Sequence, residues 1–463
     1  MDFDLIIIGS GPGGYVAAIR ASQLKMKVAV IEKAELGGIC LNWGCIPTKS
    51  LLKSAQVFEY LSHADEYGIR VSGEVKPDFG AMVARSRNIA DGMSKGIQFL
   101  FKKNNITHIK GFGRLSGEKS VEVEDGKGKK SLLTATNIIL ATGARSKELP
   151  NLKQDGRKII GYREAMTLPQ QPASMVVVGS GAVGSEFANF YQSIGTEVTL
   201  VEFLPRLVPN EDEEVSRQLE RSFKKLKMKI MTGSTVESVD TSKDKCLVTI
   251  RTPKGMETTE ADVVLSAVGV TTNIEGIGLE KAGVKTDNGR VTVDEYYRTT
   301  VPGIYAIGDI VNGPALAHVA SAEGIICVEK MAGKDVEPLD YRNIPACTYT
   351  NPEIASVGLT EAAAREEGYD IKVGRFPFTA SGKANASGSK DGFIKLVFDA
   401  SYGELLGAHM IGANVTEMIS EIVVARKLET TAYEIIKAVH PHPTMSEAIM
   451  EAAAAAYGEV IHL

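Results

Sequence analysis

The sequence predicts an α/β fold followed by a separate C-terminal α+β domain. Three observations point there: one strand, glycine and helix pattern occurs twice, an acidic residue follows each copy at the same distance, and the pattern changes near Asp340. LIIIGSGPGG (residues 5–14) recurs as VVVGSGAVG (residues 176–184). Glu32 ends the apolar run VAVIE 23 positions after Gly9, and Glu202 ends VTLVE 23 positions after Gly179. Each copy reads as strand, glycine turn, helix, strand and acidic residue, a Rossmann-like arrangement.

Such a turn gives each glycine a task. Gly9 and Gly179 make the tight turn, Gly11 and Gly181 let a pyrophosphate approach the backbone, and Gly14 and Gly184 let helix pack on strand. The helix N-terminus then stabilises the phosphate charge. One G-x-G-x-x-G is a weak signal, whereas two with matching strands and acidic residues are specific for dinucleotide binding.

Later segments extend both units. VSRQLERSFKKL places Val215, Leu219, Phe223 and Leu226 on one helical face. TNIILATGA (136–144) and VPGIYAIGDI (301–310) each read as a buried strand ending at a glycine-containing turn, where an open α/β sheet presents ligand contacts. GEKSVEVEDGKGKKSLLT, for all its lysines, reads as a solvated hairpin. Beyond about Asp340 the strands and helices carry no glycine fingerprint, as in FIKLVFDA followed by TEMISEIVVARKL, and form the α+β domain.

Composition narrows the function classes. A chain of 463 residues suits two to four domains, and 44% hydrophobic with 24% charged residues excludes a disordered or collagen-like protein. Lys plus Arg number 52 against 57 Asp plus Glu, so neither nucleic acid nor an anionic membrane is an expected partner. No apolar run approaches a membrane span, and MDFDLIIIGS has acidic residues where a signal peptide has its positive region, so a cytoplasmic location is expected.

Of five cysteines, Cys40 and Cys45 lie close together in GGICLNWGCIPTKS, just behind the first fingerprint. Such a pair in a reducing compartment is catalytic or metal-binding more often than structural, and no second Cys pair or His cluster completes a zinc site. Residues five apart in an ideal helix have Cα atoms about 8 to 9 Å apart, beyond the ~4.4–6.8 Å of a disulfide. A bond between them needs a distorted segment, for which Gly44 and Pro47 supply the means. Cys246, Cys327 and Cys347 stand alone and are expected to be structural. Near the C-terminus VHPHPTMSE brings His440, His442 and Glu447 into one proline-braced loop, where an imidazole can take a thiol proton and a carboxylate can orient it.

Taken in order, GSGPGG, GGICLNWGCIPTKS, ATGA, GSGAVGSE, YAIGD, YTNPEIASVG and HPHPTMSEA make the chain resemble, over essentially its whole length, the dihydrolipoamide dehydrogenase family within the pyridine nucleotide-disulfide oxidoreductases. The resemblance implies an FAD domain in two segments (1–147 and 271–340), an NAD domain between them (148–270) and an interface domain (341–463) that forms a homodimer. It further implies a redox-active disulfide, with Cys40 as the thiol that meets the substrate and Cys45 as the one beside the flavin. His442, oriented by Glu447, would be the general base and reach the cysteine pair of the other subunit. Lys49 would lie near the flavin and close to Glu186. Glu32 would bind the adenosine ribose of FAD and Asp309 its ribityl and phosphate region, with backbone contacts from Gly113, Thr142, Gly143 and Ala317. NAD would contact the turn from Gly179 to Gly184, Glu202, Val236 and Gly269. Glu202 favours NAD on chemical grounds, because a carboxylate accepts from a ribose 2′-hydroxyl and repels a 2′-phosphate, and the nearest arginine is Arg206. The implied reaction oxidises protein-bound dihydrolipoamide and reduces NAD, with no metal. The partner would be a lipoyl domain of a 2-oxo-acid dehydrogenase complex or a glycine cleavage H protein.

Ile39 and Trp43 stand where that family commonly has smaller residues, Pro441 where alanine is usual, and Val270, Thr271 and Thr272 where Arg and Pro are common. Rival readings are another flavoprotein disulfide reductase, for glutathione or mercuric ion, and a non-catalytic nucleotide-binding protein. AYGEVIHL lacks the extra tail cysteines of a mercuric reductase, Glu202 disfavours the NADP of a glutathione reductase, and a scaffold has no need of Cys40, Cys45, Lys49, His442 and Glu447 together.

Overall fold

Leu5 to Ile8 are four apolar residues without polar alternation, which suits a strand covered on both faces. In the computed structural model, which describes residues 1–463, strand Phe3–Ile8 pairs in parallel with Val28–Glu32 on one side and Lys130–Leu140 on the other. Thr107–Lys110 extends the sheet beyond Val28–Glu32, and Ile304–Ala306 pairs in parallel with the end of Lys130–Leu140. The earlier part of Lys130–Leu140 pairs instead with Ser120–Glu124, which pairs with Phe112–Gly117, both antiparallel. The lysine-rich segment is the hairpin turn expected there: Asp125 Oδ1 accepts from the backbone N–H of Lys127 and Lys129, and the lysines face solvent. These elements belong to one compact unit, Met1–Ser50, Ala81–Lys147 and Val270–Leu339.

The other unit comprises Leu51–Gly80, Glu148–Gly269 and Asp340–Leu463. Its first sheet repeats the parallel plan in the order Lys229–Met231, Glu197–Val201, Ser174–Val178, Val263–Ser266 and Ile159–Ile160. Helix Glu213–Lys225 buries the expected Val215, Leu219 and Phe223, while Leu226 forms its C-cap. Its N-terminus is capped by Asp212, whose carboxylate accepts from the Glu214 N–H.

An antiparallel sheet in the order Ala346–Thr348, Glu353–Gly358, Leu405–Gly412, Phe393–Asp399 and Ile371–Pro377 forms the α+β domain of this unit. Every residue of Phe393–Asp399 and Leu405–Gly412 is buried, and helices Val415–Lys427 and Glu447–Ala456 contribute buried side chains to the same core. The alanine run explains the close approach of the second helix: a Cβ added at Gly374 would lie 1.9 Å from the Ala452 carbonyl oxygen. No helix is long and apolar enough to cross a membrane.

Candidate active site

The first glycine turn leads from strand Phe3–Ile8 into helix Pro12–Gln23. Gly9 has φ +105°, and a Cβ there would lie 2.2 Å from the Ala141 carbonyl oxygen; a Cβ at Gly14 would lie 2.0 Å from that of Gly9. Gly11 differs, since its nearest such neighbour is Gly38 at 4.0 Å. The first and third glycines are therefore required by the protein's own packing, and the second keeps open the space in front of a helix end. That end has no side-chain cap, and Pro12 lies in its first turn, so the remaining N–H groups point where a phosphate would sit.

The second turn repeats this geometry. Gly179 has φ +97° and abuts Ala267, Gly184 abuts Gly179, and nothing lies within 4 Å of a Cβ at Gly181. Helix Ala182–Ser193 is likewise without a side-chain cap.

A residue that the motif logic passes over completes each turn. Glu32 Oε2 accepts from the N–H and hydroxyl of Ser10 at 2.9 and 2.8 Å, and its Oε1 accepts from Ala34 N–H. Glu202 Oε2 accepts from the N–H and hydroxyl of Ser180, both at 2.7 Å, and its Oε1 from Leu204 N–H. A carboxylate has about four acceptor sites, so each retains one on Oε1 for a ribose hydroxyl. The serine in both copies of GSG was the available signal. Arg206, the nearest arginine in sequence, donates from Nη2 to the Pro209 carbonyl at 2.9 Å.

Other expected flavin contacts gather near the first turn or carry packing duties of their own. Thr142 adjoins Gly9, its hydroxyl donating to the Asn273 carbonyl, and Gly143 has φ +66°. Ala317 starts helix Ala317–Met331, whose N-terminus is also without a side-chain cap. Asp309 lies in a short helical turn where burial raises its pKa, with Arg290 opposing. A Cβ at Gly113 would meet Ile31 and Ile8, which explains that glycine by packing alone. In the other unit, Val236 is a buried strand residue whose carbonyl accepts from Asn151, Gly269 has φ +107° with open space around it, and Glu186 is buried and accepts from Tyr349 N–H. Val270–Thr272 pairs as a short strand with Ala144–Ser146.

The dithiol segment is broken where expected. Helix Gly38–Trp43 ends at Gly44, whose φ −148° and ψ −114° belong to no helix, and a new helix, Cys45–Ser62, begins at once. Pro47 sits in the first turn of that helix, where a missing N–H costs little, so the distortion belongs to Gly44. The break lets Cys40 and Cys45 hydrogen-bond to each other. That bond, with burial, raises the Cys40 pKa well above the ordinary thiol range, while the Lys49 charge acts the other way.

The loop at residues 438–447 distinguishes its two histidines. His440 donates from both ring nitrogens, to Glu421 Oε1 at 2.8 Å and to the Ala438 carbonyl at 3.1 Å. The bond to Glu421 raises its pKa despite partial burial, and both ring nitrogens are engaged by oxygen acceptors. His442 donates from Nδ1 to Glu447 Oε1 at 2.9 Å, and its side chain is 79% exposed, leaving Nε2 open to accept a proton. Burial works against the Glu447 carboxylate, but Thr444 N–H and His442 hold its pKa below the usual range.

No group of three or more His, Cys, Asp or Glu side chains is arranged to hold a metal ion.

The comparisons agree with this layout. Residues 3–324 match the family model "pyridine nucleotide-disulphide oxidoreductase", and residues 344–453 match that family's dimerisation domain. The chain is 49% identical over 464 residues to the dihydrolipoyl dehydrogenase of Zymomonas mobilis and 48% identical over 478 residues to that of Rhizobium etli, each alignment covering 99% of both proteins. Its fold is similar to the crystal structure of LpdA from Mycobacterium tuberculosis, with a TM-score of 0.90 and 29% identity over 97% of this chain and 98% of that one. The chain belongs to the pyridine nucleotide-disulphide oxidoreductase family.

Proposed function

We propose that the protein oxidises the dihydrolipoyl group of a partner protein to its cyclic disulfide and reduces NAD to NADH, using FAD and the Cys40–Cys45 pair, as a cytoplasmic homodimer. The observation that carries this reading is the hydrogen-bonded pair of cysteines at the Gly44 break, directly behind the first glycine turn. The relatives named dihydrolipoyl dehydrogenase, matched over nearly their whole lengths, support it. On this reading residues 1–147 and 271–340 hold FAD, 148–270 hold NAD, and 341–463 meet the second copy.

In the proposed cycle the enzyme starts with Cys40 and Cys45 joined. His442 Nε2 takes a proton from one substrate thiol, and Glu447 stabilises the resulting imidazolium through Nδ1. The substrate thiolate attacks Cys40, the bond between the cysteines breaks, and Cys45 leaves as the thiolate. The second substrate thiol then displaces Cys40, closing the lipoyl disulfide, and its proton passes to Cys40, whose hydrogen bond to Cys45 and burial favour the thiol. Cys40 then gives up its proton and the Cys40–Cys45 bond re-forms, and FAD, when bound, would accept the electron pair released and supply the hydride chemistry that reduces NAD. In sum, two substrate S–H bonds become one S–S bond, and NAD⁺ becomes NADH with release of one proton. The exposure of His442 in a single chain fits a base that serves the cysteine pair of the second copy.

Dihydrolipoamide-dependent NADH formation by the purified protein tests the proposal. The native chain is expected to turn over, and Cys40→Ser to remain yellow but inactive. A native protein that instead reduces glutathione disulfide with NADPH overturns it.

A further inference from the structure

Helix Phe79–Lys103 reaches the dithiol segment at two points. The Arg87 guanidinium donates from Nη2 to the Asn42 carbonyl and lies over the Trp43 indole, 4.2 Å from the ring centroid. Two residues earlier, Arg85 Nη1 donates to the carbonyl and hydroxyl of Ser50 at 2.9 and 2.8 Å. The two arginines thus grip opposite sides of the Gly44 break. Asn42 has no slack of its own, because its side-chain amide donates to the carbonyls of Leu36 and Gly38 and the residue is 3% exposed.

A helix end leaves its last carbonyls without backbone partners, and a guanidinium can satisfy one while its flat face stacks on an aromatic ring. Arg87 does both at the last turn of Gly38–Trp43. Trp43, larger than the residue common at that position in the family the sequence resembles, supplies the flat surface. We propose that Arg87 is a positioning residue for the disulfide chemistry: by fixing Asn42 and Trp43 against helix Phe79–Lys103 it sets the angle of the Gly44 break and holds the Cys40 and Cys45 sulfurs within reach of each other.

The inference rests on the dithiol reading given above. A break free to vary its angle spreads the two sulfurs over many separations, and fixing that angle raises the effective concentration of one sulfur at the other. Closing the pair breaks two S–H bonds, forms one S–S bond and releases two protons and two electrons. In an exchange buffer, glutathione disulfide takes these up and becomes two glutathione thiols.

The experiment equilibrates the purified holoenzyme anaerobically with glutathione and glutathione disulfide at fixed ratios, traps free thiols by alkylation, and measures the closed fraction of the peptide holding Cys40 and Cys45. In Arg87→Gln the equilibrium constant for closing the pair is expected to fall about tenfold, which is about 30 mV in midpoint potential. Flavin content and melting temperature should stay at native values. Arg87→Lys, which keeps the charge without the fork or the flat face, should recover less than half of that loss on the logarithmic scale, and Trp43→Val should show a smaller loss of the same sign. An unchanged equilibrium in Arg87→Gln, whatever its turnover, overturns the proposal, as does loss of flavin in both Arg87 variants, which would make the residue merely structural. A native protein whose cysteine pair does not exchange, or which ignores dihydrolipoamide, overturns the dithiol reading itself and this inference with it. A native protein that passes both while Arg87→Gln matches it defeats this inference alone.

Discussion

The two glycine turns share their backbone and differ in what lies over them. Gly11 and Gly181 both have φ −62° and ψ −178°, and the serine before each clasps its glutamate in the same way. Over the first turn, however, a Cβ at Gly13 would lie 3.1 Å from the Ala320 carbonyl oxygen, one at Gly324 would lie 2.8 Å from that of Gly13, and one at Gly38 would lie 2.6 Å from the Gly11 Cα. Helix Ala317–Met331 and the dithiol segment enclose it. Over the second, Gly181 is open and Val183 is 46% exposed. An enclosed site slows departure of its occupant and an open one permits exchange, which matches a retained flavin and a nicotinamide that comes and goes. The serine carbonyls show the same divergence: Ser10 accepts from Gly37 N–H, where the dithiol segment begins, and Ser180 from Val208 N–H, in a loop leading to the buried Glu211.

The comparison breaks most visibly at the third glycines. Gly14→Val and Gly184→Val push side chains into equivalent carbonyl oxygens, at 2.0 and 1.9 Å from the added Cβ, an overpacking of about 1–3 kcal/mol or more. Gly14→Val is expected to purify without flavin and to lose all turnover. Gly184→Val should stay yellow, with a flavin that dihydrolipoamide reduces, and make no NADH; absorbance at the flavin band and at the NADH band reads both. His442→Gln touches neither turn, so flavin content and NAD binding should be native while turnover falls by ~10²–10⁴-fold, as for loss of a general base.

Glu211 has no counterpart behind the first turn. Burial raises its pKa to about 7, with the Asp212 charge adding to the effect and a hydrogen bond from Ser356 opposing it. The folded-state pKa lies above the unfolded value, so the folded chain binds the extra proton, and stability present at low pH is lost as pH rises from the ordinary carboxylate range through about 7. Glu211→Gln should remove this slope and be more stable than the native chain by about 2 kcal/mol at pH 8, with little difference at pH 4. Denaturant melts at the two pH values check it. The smallest effect on stability is expected for Gly181→Ala, where φ is negative and the space is open. Its unfolding free energy should change by no more than about 0.5 kcal/mol, while the KM for NAD rises because the methyl occupies the approach of the pyrophosphate. A large loss of stability there would show that the second turn is packed as tightly as the first.

Much of this was legible in the sequence because glycine spacing states a steric requirement directly. Gly9, Gly14, Gly179 and Gly184 have no room for a Cβ, so the motif and the packing say the same thing. That the dithiol segment is distorted followed from the reach of a disulfide, with Gly44 and Pro47 both offered as the means, and the break falls at Gly44. Contacts between distant segments were not legible. Arg85 and Arg87 lie 35 and 45 positions from the residues they hold, with no periodicity linking them. The enclosure of the first turn depends on Ala320 and Gly324, more than three hundred positions away. His440 and His442 were indistinguishable as letters, and only their acceptors, Glu421 with the Ala438 carbonyl against Glu447, separate a ring engaged at both nitrogens from one with Nε2 open.

The central claim is that one backbone plan, used twice, retains FAD in its first copy and exchanges NAD in its second, with the Cys40–Cys45 pair feeding the first. An anaerobic titration of the extensively dialysed protein with dihydrolipoamide, then with NAD, while recording the flavin spectrum, tests it most directly. The account predicts that flavin survives dialysis, that dihydrolipoamide produces a long-wavelength thiolate-to-flavin band, and that added NAD removes the band and appears as NADH. Flavin lost on dialysis, or a flavin that only NADPH reduces, would contradict it.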